Sequence, residues 1–178
     1  IINSIRFHEV QRSYQEIQQR YETDQLTGCY SRNVLYKKTN EIFANKRPIA
    51  LVFFDLDNLK ETNDNFNHSY GDQYLRSFVS AIVKIKSEND DLFRYGGDEF
   101  VLILPLEEKN DIKKLIESIF NEFKEPVQIY DQSIRINFSA GVALYPQDGS
   151  TLEEIIRLAD NAMYQAKKNH LGYLFHKN

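Results

Sequence analysis

One cysteine, Cys29, stands alone in a chain of 178 residues. That excludes an intrachain disulfide and any zinc cage built from thiolates, and it agrees with a reducing compartment. No apolar stretch approaches the roughly 20 residues that span a bilayer, and no signal-peptide pattern opens the chain. The expectation is a soluble, cytoplasmic piece, with any membrane anchor of the full-length protein lying outside it. Dense blocks of Lys and Arg are also missing. With 22 basic residues against 26 acidic ones and a formal charge of −4, neither nucleic acid nor an anionic membrane is expected as a partner of this fragment. A nucleotide would need local cations or a metal. Internal repeats and low-complexity tracts are absent as well. The remaining composition, 42% hydrophobic and 27% charged, is that of an ordinary globular domain with room for one sizeable core and one appendage.

Apolar residues at Phe7, Val10, Tyr14, Ile17 and Tyr21 alternate in steps of three and four. The resulting stripe is too thin to anchor a helix on a core but suits a seam between two identical helices, so residues 1–22 read as a coiled-coil stalk. A surface helix folded back on its own domain is the other reading. Past a turn at Thr23 to Gly28, Ser31 to Asn45 reads as a helix with Ser31 as its N-cap. The unbroken run Ile49 to Phe54 behind Pro48 predicts a strand buried on both faces. A short helix from Leu59 to Asn65 and a longer one carrying Leu75, Phe78, Val79, Ile82 and Val83 follow. Asp91 to Arg94 and Phe100 to Leu104 form a hairpin around Tyr95 to Gly97. Ile112 to Phe123 marks another helix, closed by Pro126. Alternation from Ile134 to Leu144 predicts a strand with one buried face. Leu152 to Ala166 gives a last helix, and Tyr173 to Phe175 an edge strand. The order implies an α+β fold, a mixed central sheet flanked by helices, with the split-βαβ (ferredoxin-like) core of palm domains.

A carboxylate at the end of a buried strand needs a cationic partner. Asp55 is such a residue. If the strand it ends lies beside the hairpin, Asp98 and Glu99 converge with it at one end of the sheet, where three carboxylates would repel unless a divalent ion joined them. Hard oxygen ligands select Mg2+ or Mn2+, the arrangement of metal-assisted phosphoryl or nucleotidyl transfer. Gly96 and Gly97 would let backbone approach a phosphate closely. Asp57 taken alone reads as a helix N-cap.

These residues carry a family resemblance. Arg94-Tyr-Gly-Gly-Asp-Glu-Phe100 is the signature for which GGDEF domains are named. Asp24 to Arg32 resembles the family's DxLTGLxNR motif, departing at Cys29, Tyr30 and Ser31. Asp55 to Asp72 matches DxDxFKxxNDxxGHxxGD except for Leu59 and Asn67. Ser139 to Ala143 resembles the SxGVA strand, and Ala159 to Lys167 the ADxALYxAK helix. The match runs in order from Asp24 almost to the terminus, making residues 23–178 a catalytic domain of diguanylate cyclase type.

The resemblance implies a palm-like, nucleotide-cyclase-like fold and an enzyme that joins two GTP into cyclic di-GMP, releasing two pyrophosphates. It implies Mg2+ or Mn2+, two per half-site, held by Asp55, the Leu56 carbonyl, Asp98 and Glu99. Asp98 would be the base, Glu99 would add charge, and Lys60 and Lys167 would meet phosphates. Asn63 and Asp72 would bind guanine, with His68 and the backbone of Gly96 and Gly97 against the substrate. The domain would work as a homodimer, through the N-terminal helix and facing active sites, below an upstream sensor. Two departures stand out. Leu171 replaces a phosphate-binding Arg, and residues 87–90 run Ser-Glu-Asn-Asp where many relatives carry an RxxD product-inhibition site. That site is therefore expected to be absent, with Ser87 and Asp90 as its remnant. A domain that binds GTP without turnover, and an enzyme making another cyclic dinucleotide, stay open at this point.

Overall fold

The computed structural model describes residues 10–12, 18, 21–106 and 112–177. Of the expected stalk, Phe7, Tyr14 and Ile17 lie outside them, while Val10 and Tyr21 are helical and largely exposed. The chain then forms β1 (Tyr30–Ser31), α1 (Arg32–Ala44), β2 (Ile49–Leu56), α2 (Leu59–Asn65), α3 (His68–Ile85), β3 (Asp91–Arg94), β4 (Glu99–Pro105) and α4 (Ile112–Glu122). After these come β5 (Val127–Ile129), β6 (Gln132–Ile134), β7 (Phe138–Tyr145), α5 (Leu152–Lys168) and β8 (Tyr173–Phe175). Six strands make one mixed sheet in the order β1-β3-β4-β2-β7-β8, parallel only at its two outer pairs. The expected α+β architecture with helices on a mixed sheet is what forms. Among the described residues no helix is long and apolar enough to cross a membrane.

Why β2 reads as an unbroken apolar run is now plain. Successive side chains of a strand point to opposite faces, and both faces are covered. Ala50, Val52 and Phe54 join α3 and α4 in one core, whereas Ile49, Leu51 and Phe53 join α1 and α5 in the other. The first core is rich in aromatics. Phe78 lies 5.1 Å from Phe138 and 5.3 Å from Phe100 between ring centroids, tilted or edge-on as ring quadrupoles prefer. On the other face α5 rides close to β7. A Cβ added to Gly141 would stand 2.0 Å from the Ala159 carbonyl oxygen and 2.2 Å from Met163 N, so only glycine fits there.

Ser31 is the N-cap residue of α1 as expected, with extended backbone, but its side chain makes no cap bond; its hydroxyl donates to the Tyr21 carbonyl (2.7 Å), because the residue is held in β1 and turned toward the preceding chain. One local expectation is corrected. The single half-buried strand expected from Ile134 to Leu144 is split. Ile134 ends a separate β5–β6 hairpin turned at Tyr130 and Asp131, and β7 starts at Phe138 with both faces buried. The alternation there sends Phe138, Ala140 and Val142 to the aromatic core and Gly141, Ala143 and Tyr145 to the other face, where α5 packs closely over Gly141.

Helix ends obey local chemistry. The Thr151 hydroxyl accepts from Glu154 N (3.2 Å), with Glu153 and Glu154 in the first turn of α5 and Lys167 and Lys168 in its last, each sign suited to its end of the dipole. The Asn67 side chain accepts from Ser69 N (2.8 Å) and caps α3. A glycine there would leave the cap unmade.

Candidate active site

β2 ends where β4 begins. Asp55 is the antiparallel register partner of Glu99, and the ladder continues beyond it: Leu56 N–H donates to the Asp98 carbonyl (3.0 Å) and Asp57 N–H to that of Asn137 (2.8 Å). Register partners share a face. Counting in twos from Phe53 and Val101 puts Asp55 and Glu99 on the α5 side of the sheet. From that side Lys167 reaches across, its ammonium bonded to Asp55 Oδ2 and lying 2.8 Å from Asp57 Oδ1.

Acid outnumbers base at this end of the sheet, and the titration behaviour follows. Burial pushes the Asp55 carboxyl up, and Asp98 and Asp57 push it the same way against the opposing pull of Lys167. Burial, then the charges of Asp55, Asp98 and Asp160, raises that of Glu99. Burial works against the Lys167 ammonium, but its bonds to Asp55 and Asp57 prevail and hold its proton more tightly. The carboxylates do not converge into a ready cage. Among the described residues no three acidic, His or Cys side chains stand close enough together to hold an ion. Asp55 faces Lys167 instead, and Asp57, expected as an N-cap, shares that ammonium. The N-cap position of α2 falls to Asn58, whose backbone is left-handed (φ 63°), a conformation asparagine tolerates.

The signature turn is pinned by its own arginine. Arg94 donates from Nε to the Gly96 carbonyl (3.2 Å) and from Nη2 to that of Gly97 (2.7 Å), and its Nη1 pairs with Asp24 (3.1 Å). Asp24 in turn accepts from Thr27 N (2.9 Å) and its hydroxyl (2.6 Å). Burial raises the Asp24 pKa, but these bonds and Arg94 outweigh it, and the group ends below the usual aspartate value. Glu99 folds back over Gly96, where a Cβ would meet its Oε2 at 2.4 Å; Gly97 faces open space. Tyr74 supports the neighbouring loop, its hydroxyl donating to the Asp57 carbonyl (2.8 Å) while accepting from Asn137 N (3.2 Å). Burial pushes its pKa up to about 12. Sequence reasoning missed these supports. Arg94 and Asp24 were visible only as motif letters, and Tyr74 looks like any core residue of an amphipathic helix.

The expected base-binding residues lie on α2 and α3. Asn63 is half-buried with its Oδ1 enclosed and unpaired; Asp72 is half-buried, and Lys60 and His68 are exposed. Leu171 is 54% exposed just beyond α5. At residues 87–90 the chain closes on itself. Asp90 is buried, its Oδ2 accepts from Ser87 N (2.8 Å), and Lys86 Nζ donates to the Asp90 carbonyl (2.7 Å). A cavity of about 330 Å³ opens beside it, lined by Ser87, Asp90, Lys114, Ser118 and aliphatic side chains.

Comparison with known proteins places these elements in context. The family model described as diguanylate cyclase, GGDEF domain, matches residues 21–172. The bifunctional diguanylate cyclase/cyclic di-GMP phosphodiesterase MucR of Pseudomonas aeruginosa is 36% identical over 157 residues, covering 85% of this chain and 23% of MucR. The cyclic di-GMP phosphodiesterase PdeR of Escherichia coli is 32% identical over 166 residues, covering 92% of this chain and 25% of PdeR. The chain thus spans about a quarter of the length of these relatives. Among solved structures, the isolated GGDEF domain of TpbB from Pseudomonas aeruginosa superposes with a TM-score of 0.79 at 28% identity, covering 87% of this chain and 94% of that one.

Proposed function

This chain belongs to the diguanylate cyclase GGDEF domain family, and from that premise we propose that two copies of it, each holding one GTP, face each other and condense the pair into cyclic di-GMP with release of two pyrophosphates. The observation that carries the proposal is the register pairing of Asp55 with Glu99 beside Asp98, an excess of acid at the joined ends of two buried strands. Such an end destabilises the domain unless it serves a cation.

The donor set suits a hard divalent ion. Asp55, the Leu56 carbonyl, Asp98 and Glu99 offer only oxygen, and the single ammonium of Lys167 leaves their charge under-compensated. Mg2+ or Mn2+ held there, two per half-site, would supply Lewis-acid stabilisation of the phosphates. The chain's own residues would do the rest. Asp98 accepts the proton of the ribose 3′-hydroxyl as that oxygen bonds to the partner's α-phosphorus, and the bond from that phosphorus to pyrophosphate breaks. Lys60 and Lys167 offset charge on the phosphates, and the backbone of Gly96 and Gly97 approaches them without side-chain obstruction. Asn63 and Asp72, with His68 nearby, hold guanine. One domain cannot close the ring, so a homodimer, brought together by residues 1–22 acting as the stalk their sequence pattern suggests, under an upstream sensor, would set how often half-sites meet. The setting would be the cytoplasm.

A second reading, a domain that binds GTP without turning it over, is favoured by one feature: Leu171 presents an exposed aliphatic side chain at the position where the resemblance calls for a phosphate-binding Arg. The experiment that tests the proposal is incubation of the dimerised domain with Mg2+ and GTP, or ATP in parallel, followed by product identification. Cyclic di-GMP and pyrophosphate from GTP are expected; bound but unreacted GTP supports the second reading.

A further inference from the structure

Asn63 presents an anomaly that the fold does not need. Its Oδ1 is buried and accepts no hydrogen bond, a state that native structures rarely leave without a reason. What lets the amide sit there is a missing side chain. A Cβ built on Gly71 would lie 2.1 Å from Asn63 Oδ1, 2.8 Å from its Cγ and 3.0 Å from its Nδ2. Any residue other than glycine evicts the amide. Gly71 is buried in the first turns of α3, and its φ lies outside the left-handed region, so backbone freedom does not explain the glycine. Within a helix alanine is the better residue. The obstruction is the movable end of one side chain, so the fold loses nothing from a methyl group at position 71. Only the placement of Asn63 does.

We infer that Gly71 is a positioning residue for nucleobase recognition, holding the Asn63 carbonyl inward as a dry acceptor for a base edge that donates N–H groups. The inference rests on the guanine-nucleotide reading above and names the residue on which its selectivity depends. Guanine carries N1–H and the 2-amino group side by side and can donate to Asn63 Oδ1 and to the neighbouring Asp72. Adenine offers an acceptor at N1, which leaves the Asn63 oxygen unpaired. In the complex an acceptor shut off from water pairs with guanine and stays unpaired beside adenine, and that difference between the two complexes is the selectivity.

The test is a double-mutant cycle on the full 178-residue chain: parent, Gly71→Ala, Asn63→Ala and the double variant, each titrated calorimetrically with GTP and ATP in Mg2+ and each unfolded thermally. Gly71→Ala is expected to weaken GTP binding about tenfold or more, to narrow the preference for GTP over ATP, and to melt no lower than the parent. The double variant should bind GTP as Asn63→Ala does, because the glycine acts through the amide. GTP affinity within about twofold of the parent in Gly71→Ala, or losses that multiply in the double variant, overturn the inference while leaving the guanine reading intact. If the parent itself prefers ATP or binds neither nucleotide, the guanine reading falls and this inference falls with it.

Discussion

Replacing Arg94 with alanine tests whether the signature turn is held from outside. The guanidinium makes three kinds of contact: to the Gly96 and Gly97 carbonyls, and to Asp24 across 70 residues of sequence. The two carbonyls lie near the surface, where water replaces the lost donors, so together they contribute only about 1 kcal/mol. The Asp24 pair differs, since its side chains are only 17% and 23% exposed. Removing Arg94 leaves a mostly enclosed carboxylate held by Thr27 alone, at a cost of about 2 kcal/mol. The sum is about 3 kcal/mol, or a melting temperature lowered by roughly 6–12 °C for a domain of this size. Urea unfolding of Arg94→Ala, Asp24→Asn and the double variant measures it, with an expected coupling energy of about 1–2 kcal/mol. Arg94→Lys keeps the charge but not the fork and should recover less than half of the loss. An Arg94→Ala domain as stable as the parent, or losses that simply add in the double variant, would refute the reasoning.

Asp98→Asn should lower cyclic di-GMP formation at least about 100-fold while circular dichroism and melting stay at parent values, because the amide keeps the shape but neither takes the proton nor holds the ion; near-parent turnover would sink the assigned role. Gly141→Ala drives a methyl into the backbone of α5, where no side chain can step aside, and should destabilise by about 1–3 kcal/mol in urea unfolding. An unchanged midpoint would mean that β7 and α5 are not in the contact described. The lowered folded-state pKa of Asp24 has a definite sign: its stabilisation is fully present above the unfolded value near 3.8 and is lost as pH falls through the folded one. The stability gap between parent and Asp24→Asn should therefore shrink between about pH 6 and about pH 3, and a constant gap across that range would contradict it.

Particular elements show how far the sequence reaches by itself. Ile49 to Phe54 behind Pro48 could only be a strand covered on both sides, since six apolar residues in a row have no solvent face to offer. Gly96 to Phe100 and the stretch from Asp55 to Asp72 stated the family and the residue types of the site. Both signals are local, carried by neighbours within a strand, a turn or a helix. The second buried face of β7 escaped because period-two alternation looks the same whether that face meets water or a close helix. Ser31 stands at the N-cap as its sequence position suggested, but its hydroxyl takes its partner from the chain that passes by, the carbonyl of Tyr21.

Tertiary structure alone decided which distant groups meet. Lys167 stands 112 residues from Asp55 and Arg94 stands 70 from Asp24, and no pattern in the chain pairs them. Strand order brought Asp55 beside Glu99, and the crossing of α5 supplied the ammonium. Gly71 and Asn63, eight positions apart, are close in the chain, yet nothing in their spacing says that one must lack a side chain for the other to keep its place. Sequence determines which residues prefer which local backbone and which carry charge. Only packing determines which charges become neighbours, because proximity across a sheet is set by the register of strands and the seating of helices, and those are properties of the whole core.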